Sequence, residues 1–230
     1  MFRQAGGFVA ALLIGLIAGL AIAKWNDGGL TLGSFAMSQS SLQAAEADFR
    51  SGDDRTAAAK FSQLADQNNP AAQYWLAHMT ELGLGVPRDP AKAVELYRKA
   101  AAQNDLSAEL RLGEIYLYGD LVPPDFSLAK SYLDKAAFQG NSRAAMLLGQ
   151  MYRLGMGTAV DQKEAYAWSE VSALEGDVTA RRERDASLRD LAAGDQTAAI
   201  ARAQQILSEI KPHTPVASKE AGQSGSNAAS

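Results

Sequence analysis

The stretch Ala108–Gly140, AELRLGEIYLYGDLVPPDFSLAKSYLDKAAFQG, decides the fold. Ala108, Leu112, Gly113 and Tyr116 recur at helical spacing and stop at Gly119-Asp120. Glycine tolerates the left-handed backbone that ends a helix. Asp125 then stands where a carboxylate can accept hydrogen bonds from the orphan N–H groups of a second helix. That helix runs through Ala129, Tyr132, Ala136 and Ala137. The stretch therefore predicts a pair of helices joined by a short turn.

Read outward, the same pattern returns every 36 residues on both sides. Ala72, Ala108 and Ala144 keep this step, as do Leu76, Leu112 and Leu148. Gly83, Gly119 and Gly155 follow, then Asp89, Asp125 and Asp161, then Ala93, Ala129 and Ala165. Leu96, Tyr132 and Trp168 complete the pattern with Ala101, Ala137 and Ala173. Each copy predicts the same features. The first helix ends at Gly83-Leu84-Gly85, Gly119-Asp120 or Gly155-Met156-Gly157. Pro90 follows Asp89 at the first helical position, and Glu164 stands three residues after Asp161 as in a capping box. A helix pair of this kind buries its apolar stripe only by stacking on neighbours, so the expectation is an array. Three copies cover residues 70–180, and an earlier, shorter-turned unit covers 42–69, where Ala57, Phe61 and Ala65 align with Ala93, Tyr97 and Ala101. Residues 181–211 are expected to form capping helices, the last from Gln196 to Ile210, and 212–230 a disordered tail rich in Ser, Ala and Gly.

The string Ala-x-x-x-Leu-Gly-x-x-Tyr-x-x-Gly, followed by Asp, Ala, Ala-Ala and Gly, resembles the Sel1-like repeat, a relative of the tetratricopeptide repeat. The copy from Ala108 to Gly140 matches best, and the first copy departs with Ala77 for Gly and Thr80 for Tyr. The unit at 42–69 looks more like a tetratricopeptide unit. The resemblance implies an all-α, right-handed α-solenoid. It also implies a protein–protein adaptor or regulator, a role some such proteins perform in the bacterial envelope.

Residues 1–24 read as a transmembrane helix. Ala5 to Ala23 carries no charge, and nineteen residues reach roughly 28 Å, close to the ~30 Å hydrocarbon core. Arg3 precedes the run, so the positive side stays cytoplasmic and the remainder is expected in the periplasm. Gly7, Ala11, Gly15, Gly19 and Ala23 recur every four residues, a spacing that lets a second membrane helix approach closely. The alternative is a cleaved signal at Ala21-Ile22-Ala23, which would leave a soluble periplasmic regulator. Residues 25–41, rich in Gly and Ser, read as a flexible linker.

Composition narrows the chemistry. With 22 basic against 26 acidic residues the net charge is −4, which argues against nucleic-acid binding by bulk electrostatics. The 44 alanines favour helix. There is no cysteine, and His78 and His213 are the only histidines, so neither a metal site, nor a cofactor, nor a nucleophile–base pair is expected. An envelope hydrolase is the reading least favoured. The glycine turns join two helices and do not follow a strand, which excludes a dinucleotide fingerprint. Arg181, Arg182, Arg184 and Arg189 alternate with Glu183, Asp185 and Asp190, the pattern of a salt-bridged helix face.

What remains is a surface. On each first helix one arc keeps small or apolar residues in nearly every copy, and the other varies. The varying arc holds Tyr74, Trp75, His78 and Glu81 in the first copy. It holds Leu110, Arg111, Glu114, Leu117 and Tyr118 in the second, and Met146, Leu147, Gln150, Arg153 and Leu154 in the third. Aromatic, Arg and aliphatic side chains of this kind anchor interfaces, and the arc is expected to be the partner groove. On that expectation, truncating Trp75 and Arg111 leaves folding nearly intact and abolishes binding.

Overall fold

The computed structural model describes residues 32–174 and 178–210. The chain divides into two compact units, residues 1–39 and 40–230. Of the first unit only the start of helix α1, from Leu32, is described. The segment read as a membrane helix lies outside the described residues, as do 25–31 and the tail from 211. Among the described residues no helix is long and apolar enough to cross a membrane.

All the regular structure described is helical. It comprises α1 (Leu32–Ser51), α2 (Asp54–Asp66), α3 (Pro70–Leu82), α4 (Pro90–Ala101), α5 (Leu106–Tyr118), α6 (Phe126–Phe138), α7 (Ser142–Leu154), α8 (Gln162–Ala173), α9 (Val178–Asp190) and α10 (Ala193–Glu209). The helix starts keep the sequence period. Pro70, Leu106, Ser142 and Val178 open α3, α5, α7 and α9, and Asp54, Pro90, Phe126 and Gln162 open α2, α4, α6 and α8.

Local chemistry sets these boundaries. Asp53, Asp89, Asp125 and Asp161 accept from the N–H groups of Thr56, Lys92, Leu128 and Glu164 to cap the second helices. The first helices are capped in the same way by Asn69, Asp105 and Asn141, which accept from Ala72, Ala108 and Ala144. They end at Gly83, Gly119 and Gly155, all with left-handed backbone. Each turn closes with a backbone bond to the preceding helix. Asp89, Asp125 and Asp161 donate their N–H to the carbonyls of Thr80, Tyr116 and Tyr152 at 2.9–3.0 Å.

The cap position also offers a test. Burial pushes the Asp105 carboxyl above the usual aspartate range, against the pull of its backbone donors Ala108 and Ser107. The equivalent residues in the flanking units are the neutral amides Asn69 and Asn141. Asp105→Asn keeps the acceptor and removes the buried charge. A group whose pKa is raised on folding destabilises the native state above that pKa and not below the unfolded value. The variant is therefore expected to be about 0.5 kcal/mol more stable at pH 7, roughly 1–2 °C in melting temperature, and to lose that gain as pH falls to about 4. Equal gain at both pH values would show that charge is not its source.

The core is one continuous stack. Ala72, Leu76, Ala77 and Met79 of α3 are buried, with Ala108, Leu112 and Ile115 of α5 and Ala144, Leu148 and Met151 of α7. They pack against Ala93 and Tyr97 of α4, Ala129 and Leu133 of α6, and Ala165 and Trp168 of α8. Alanine at these positions lets neighbouring helices approach closely.

The structure differs from the sequence reading at both ends of the array. Helix α1 begins at Leu32, inside the stretch read as flexible linker, because Ser and Ala are tolerated in a helix when Leu42 and Ala45 anchor one face in the core. At the other end, α9 begins at Val178 and keeps the period of a fourth first helix, three residues before the expected capping region. Ala180 takes the buried position of Ala144, and Ser187 that of Met151. Helix α10 begins at Ala193, three residues before the expected Gln196, with Gly194 in its first turn. It packs on α8, burying Ala199, Ala203 and Ile206.

Candidate interaction surface

The varying arc of the first helices separates into side chains used between repeats and side chains left to solvent. Glu81 is 8% exposed and belongs to the first class. The Tyr97 hydroxyl donates to Glu81 Oε2 at 2.8 Å, and Arg111 Nε from the next first helix donates to the same oxygen at 3.2 Å. Arg111 Nη2 bonds Glu81 Oε1 and also Asp120 Oδ2 at 2.7 Å. Burial alone would depress the Arg111 guanidinium, but the bonds to Glu81 and Asp120 carry it upward. Burial and the Glu81 bond push the Tyr97 hydroxyl well above the usual phenol range. The chain of charges continues through Arg111 to Glu114 at 3.6 Å and from Glu114 to Arg143 of α7 at 2.5 Å. Gln150 of α7 then donates to Glu183 of α9 at 3.2 Å.

Glu81 and Arg111 have counterparts 36 residues on, in Leu117 and Leu147. Those are buried as well, at 7% and 1% exposure. One junction between first helices thus uses an ion pair where the next uses two leucines. Glu81, Arg111, Leu117 and Leu147 join adjacent repeats and do not line a free groove as the sequence reading placed them.

Trp75 is also engaged. Its ring lies 5.3 Å from Phe49 and is stacked on Phe61 at 5.9 Å. Tyr74 lies parallel to His78 at 6.4 Å and 5.8 Å from Tyr97. The cluster ties α1 and α2 to α3. Truncating Trp75 together with Arg111 would therefore disturb two packing centres, contrary to the expectation of intact folding.

What stays accessible is narrower. Residues four apart lie on one helix face, so 74, 78 and 82 form a stripe, as do 110, 114, 118 and 146, 150, 154. Tyr74, Leu110 and Met146 are half-buried, as are His78, Glu114 and Gln150 in the middle row. The last row is open: Leu82 is 51% exposed, Tyr118 58% and Leu154 58%. Three large apolar side chains thus face solvent at one repeat-equivalent position. Arg153, also in the arc, is exposed beside Leu154. The row offers apolar surface and no nucleophile–base pair. Among the described residues no cluster of three His, Cys, Asp or Glu side chains is placed to hold a metal ion.

The arc of variable positions was visible in the sequence, but several partners on other elements were not. Phe49, Phe61 and Tyr97 belong to the aromatic cluster, and no periodic signal links them to Trp75. Gln73 accepts from Gln103 at 2.8 Å, and the fully buried Glu109 accepts from Gln139 one repeat later. The 36-residue step from Gln103 to Gln139 is the one sequence signal that could have exposed this second polar tie.

Comparison with known proteins bears on the repeat itself. The family model of the Sel1 repeat matches residues 70–105, 106–141 and 142–177. Residues 70–177 are thus similar to three successive Sel1 repeats. The matched blocks begin where α3, α5 and α7 begin. No curated protein matches the sequence. Among solved structures, a Sel1 repeat protein from Oxalobacter formigenes is similar with TM-score 0.55 and 26% identity, over 66% of this chain and 46% of that one. Similar too is c5321, described as a protective antigen present in uropathogenic Escherichia coli strains displaying an SLR fold. It has TM-score 0.51 and 27% identity over 67% of this chain and 41% of its own. This chain thus spans less than half the length of either structure. Sel1 repeats are in general protein–protein interaction modules and not catalytic scaffolds.

Proposed function

We propose that this chain is a non-enzymatic adaptor. It is anchored by residues 1–24 in a bacterial inner membrane, with the Sel1 repeats on the periplasmic side, and serves as an accessory, assembly or regulatory subunit of an envelope membrane complex. The observation that carries the adaptor reading is the row Leu82, Tyr118 and Leu154, exposed at successive repeats. Isolated exposed hydrophobics are ordinary, but a row set by the repeat period is a binding ridge. The uncharged run Ala5 to Ala23 supports the anchor, and Gly7, Ala11, Gly15, Gly19 and Ala23 supply a face for a partner's membrane helix.

The test is a pull-down from native membranes in mild detergent through a C-terminal tag, with intact mass on the same sample. Retention of residues 1–23 with a stoichiometric membrane protein is expected. A mass that starts near Lys24, with no stable membrane partner, would replace the anchor by a soluble periplasmic regulator. The ridge has its own check. Replacing Leu82, Tyr118 and Leu154 together by serine touches only exposed side chains, each worth within about 0.5 kcal/mol of stability. The triple variant is expected to melt within about 6 °C of the parent and to lose the partner. Undiminished capture would place the binding surface elsewhere.

A further inference from the structure

The C-terminal end of the array is built as a junction whose other half is not among the described helices. At each earlier junction a first helix bonds the next first helix from a position equivalent to 78 or to 81, although Arg153, at the 81-equivalent position of α7, stays exposed. Glu81 of α3 bonds Arg111 of α5, Glu114 of α5 bonds Arg143 of α7, and Gln150 of α7 bonds Glu183 of α9. Helix α9 keeps the register of a first helix and presents Ala186 and Arg189 at the same positions. No first helix follows it among the described residues, because α10 packs on α8 instead. Arg189 and Arg182 are exposed and make no ion pair among the described residues. Together with Asp185 and Leu188 they line an open hollow on α9. Asp185 is already held by Arg184 at 2.7 Å, so the unmatched charge of the hollow is positive.

We propose that this end of the array receives an amphipathic helix of a partner protein, one that carries carboxylates toward Arg182 and Arg189 and takes the place of a fifth first helix. Charge complementarity selects the occupant. The earlier junctions are matched by a residue from the incoming helix, and here the resident groups are guanidiniums, so the incoming helix must bring acid. A membrane surface is a poorer match. The four arginines of α9 are opposed by Glu183, Asp185 and Asp190, leaving a net of +1, well short of the basic clusters that hold anionic lipid. The proposal is separate from the ridge of Leu82, Tyr118 and Leu154, and its failure leaves that reading standing.

The experiment uses the full-length protein in mild detergent and a fluorescently labelled peptide of sequence 142–154 with Leu147→Glu. Residue 147 occupies the position from which Arg111 and Glu183 meet the preceding helix, so the acid faces α9. Saturable binding in fluorescence anisotropy is expected, weakened at least tenfold by Arg182→Glu with Arg189→Glu. The Leu147→Lys peptide is expected to bind the unmodified protein at least tenfold more weakly and to recover on the charge-reversed protein. Equal binding of the two peptides, no saturable binding, or insensitivity to the arginine changes would overturn the proposal. So would binding to phosphatidylglycerol vesicles that depends on the same arginines, or a dimer of the chain abolished by Arg189→Glu.

Discussion

Gly85→Ala is expected to destabilise the array by about 3–4 kcal/mol, whereas Gly52→Ala is expected to cost only about 1–2 kcal/mol. Both glycines have left-handed backbone, with φ of 67° at Gly85 and 83° at Gly52. A side chain pays the same conformational penalty at each. The surroundings differ. Nothing lies within 4 Å of a Cβ added at Gly52, but at Gly85 it would stand 2.1 Å from the carbonyl oxygen of Asp54. That oxygen belongs to the first turn of α2, so the obstacle is backbone of the preceding repeat and cannot rotate away. Gly157 makes the equivalent approach to Phe126 at the start of α6. With roughly 2–4 °C per kcal/mol for a chain of this size, thermal melts should separate the two variants by several degrees. Equal shifts would mean that the turn after α3 does not rest on α2, and that the glycine there answers only a conformational need.

This contrast bears on what the sequence makes legible. The 36-residue period was readable because every repeat solves the same packing problem with the same residues. Alanine and leucine fill the stack, glycine ends the first helix, and aspartate starts the second. Even the fourth first helix kept that period, yet α9 was read as part of a cap because arginines replaced its apolar residues. The register survived where the composition did not, and register proved the better guide to backbone position. The surface was harder to read. Variation between copies marked Glu81, Arg111, Leu117 and Leu147 as free to face a partner. Variation has a second origin, however: positions that meet across a junction can change together, as Glu81 with Arg111 becomes Leu117 with Leu147. A single-helix view cannot tell a solvent-facing position from one that meets the next repeat. The row of Leu82, Tyr118 and Leu154 differs in that each member is exposed in its own unit.

The same distinction makes Arg111→Met a severe change. The side chains of Arg111 and Glu81 are only 22% and 10% exposed. Removing the guanidinium leaves the Glu81 carboxylate buried, with the Tyr97 hydroxyl as its remaining donor. Breaking a buried pair from one side costs about 3–5 kcal/mol, and the residual exposure here places the expectation near 3 kcal/mol, or roughly 6–12 °C in melting temperature. High salt should do little to reduce this cost, because partly buried charges are screened far less than surface ones. Glu81→Gln in the same chain is expected to restore at least half the loss, since the stranded charge is gone and a neutral amide can still accept from Tyr97. Taken alone, Glu81→Gln should cost about 1 kcal/mol, because Arg111 keeps Asp120 and Glu114 as partners. A double-mutant cycle over the four proteins therefore measures a coupling that a freely solvated pair would not show. If Arg111→Met instead melts with the parent and only partner capture is lost, Arg111 belongs to the binding surface, and the junction between α3 and α5 is held by its apolar contacts alone.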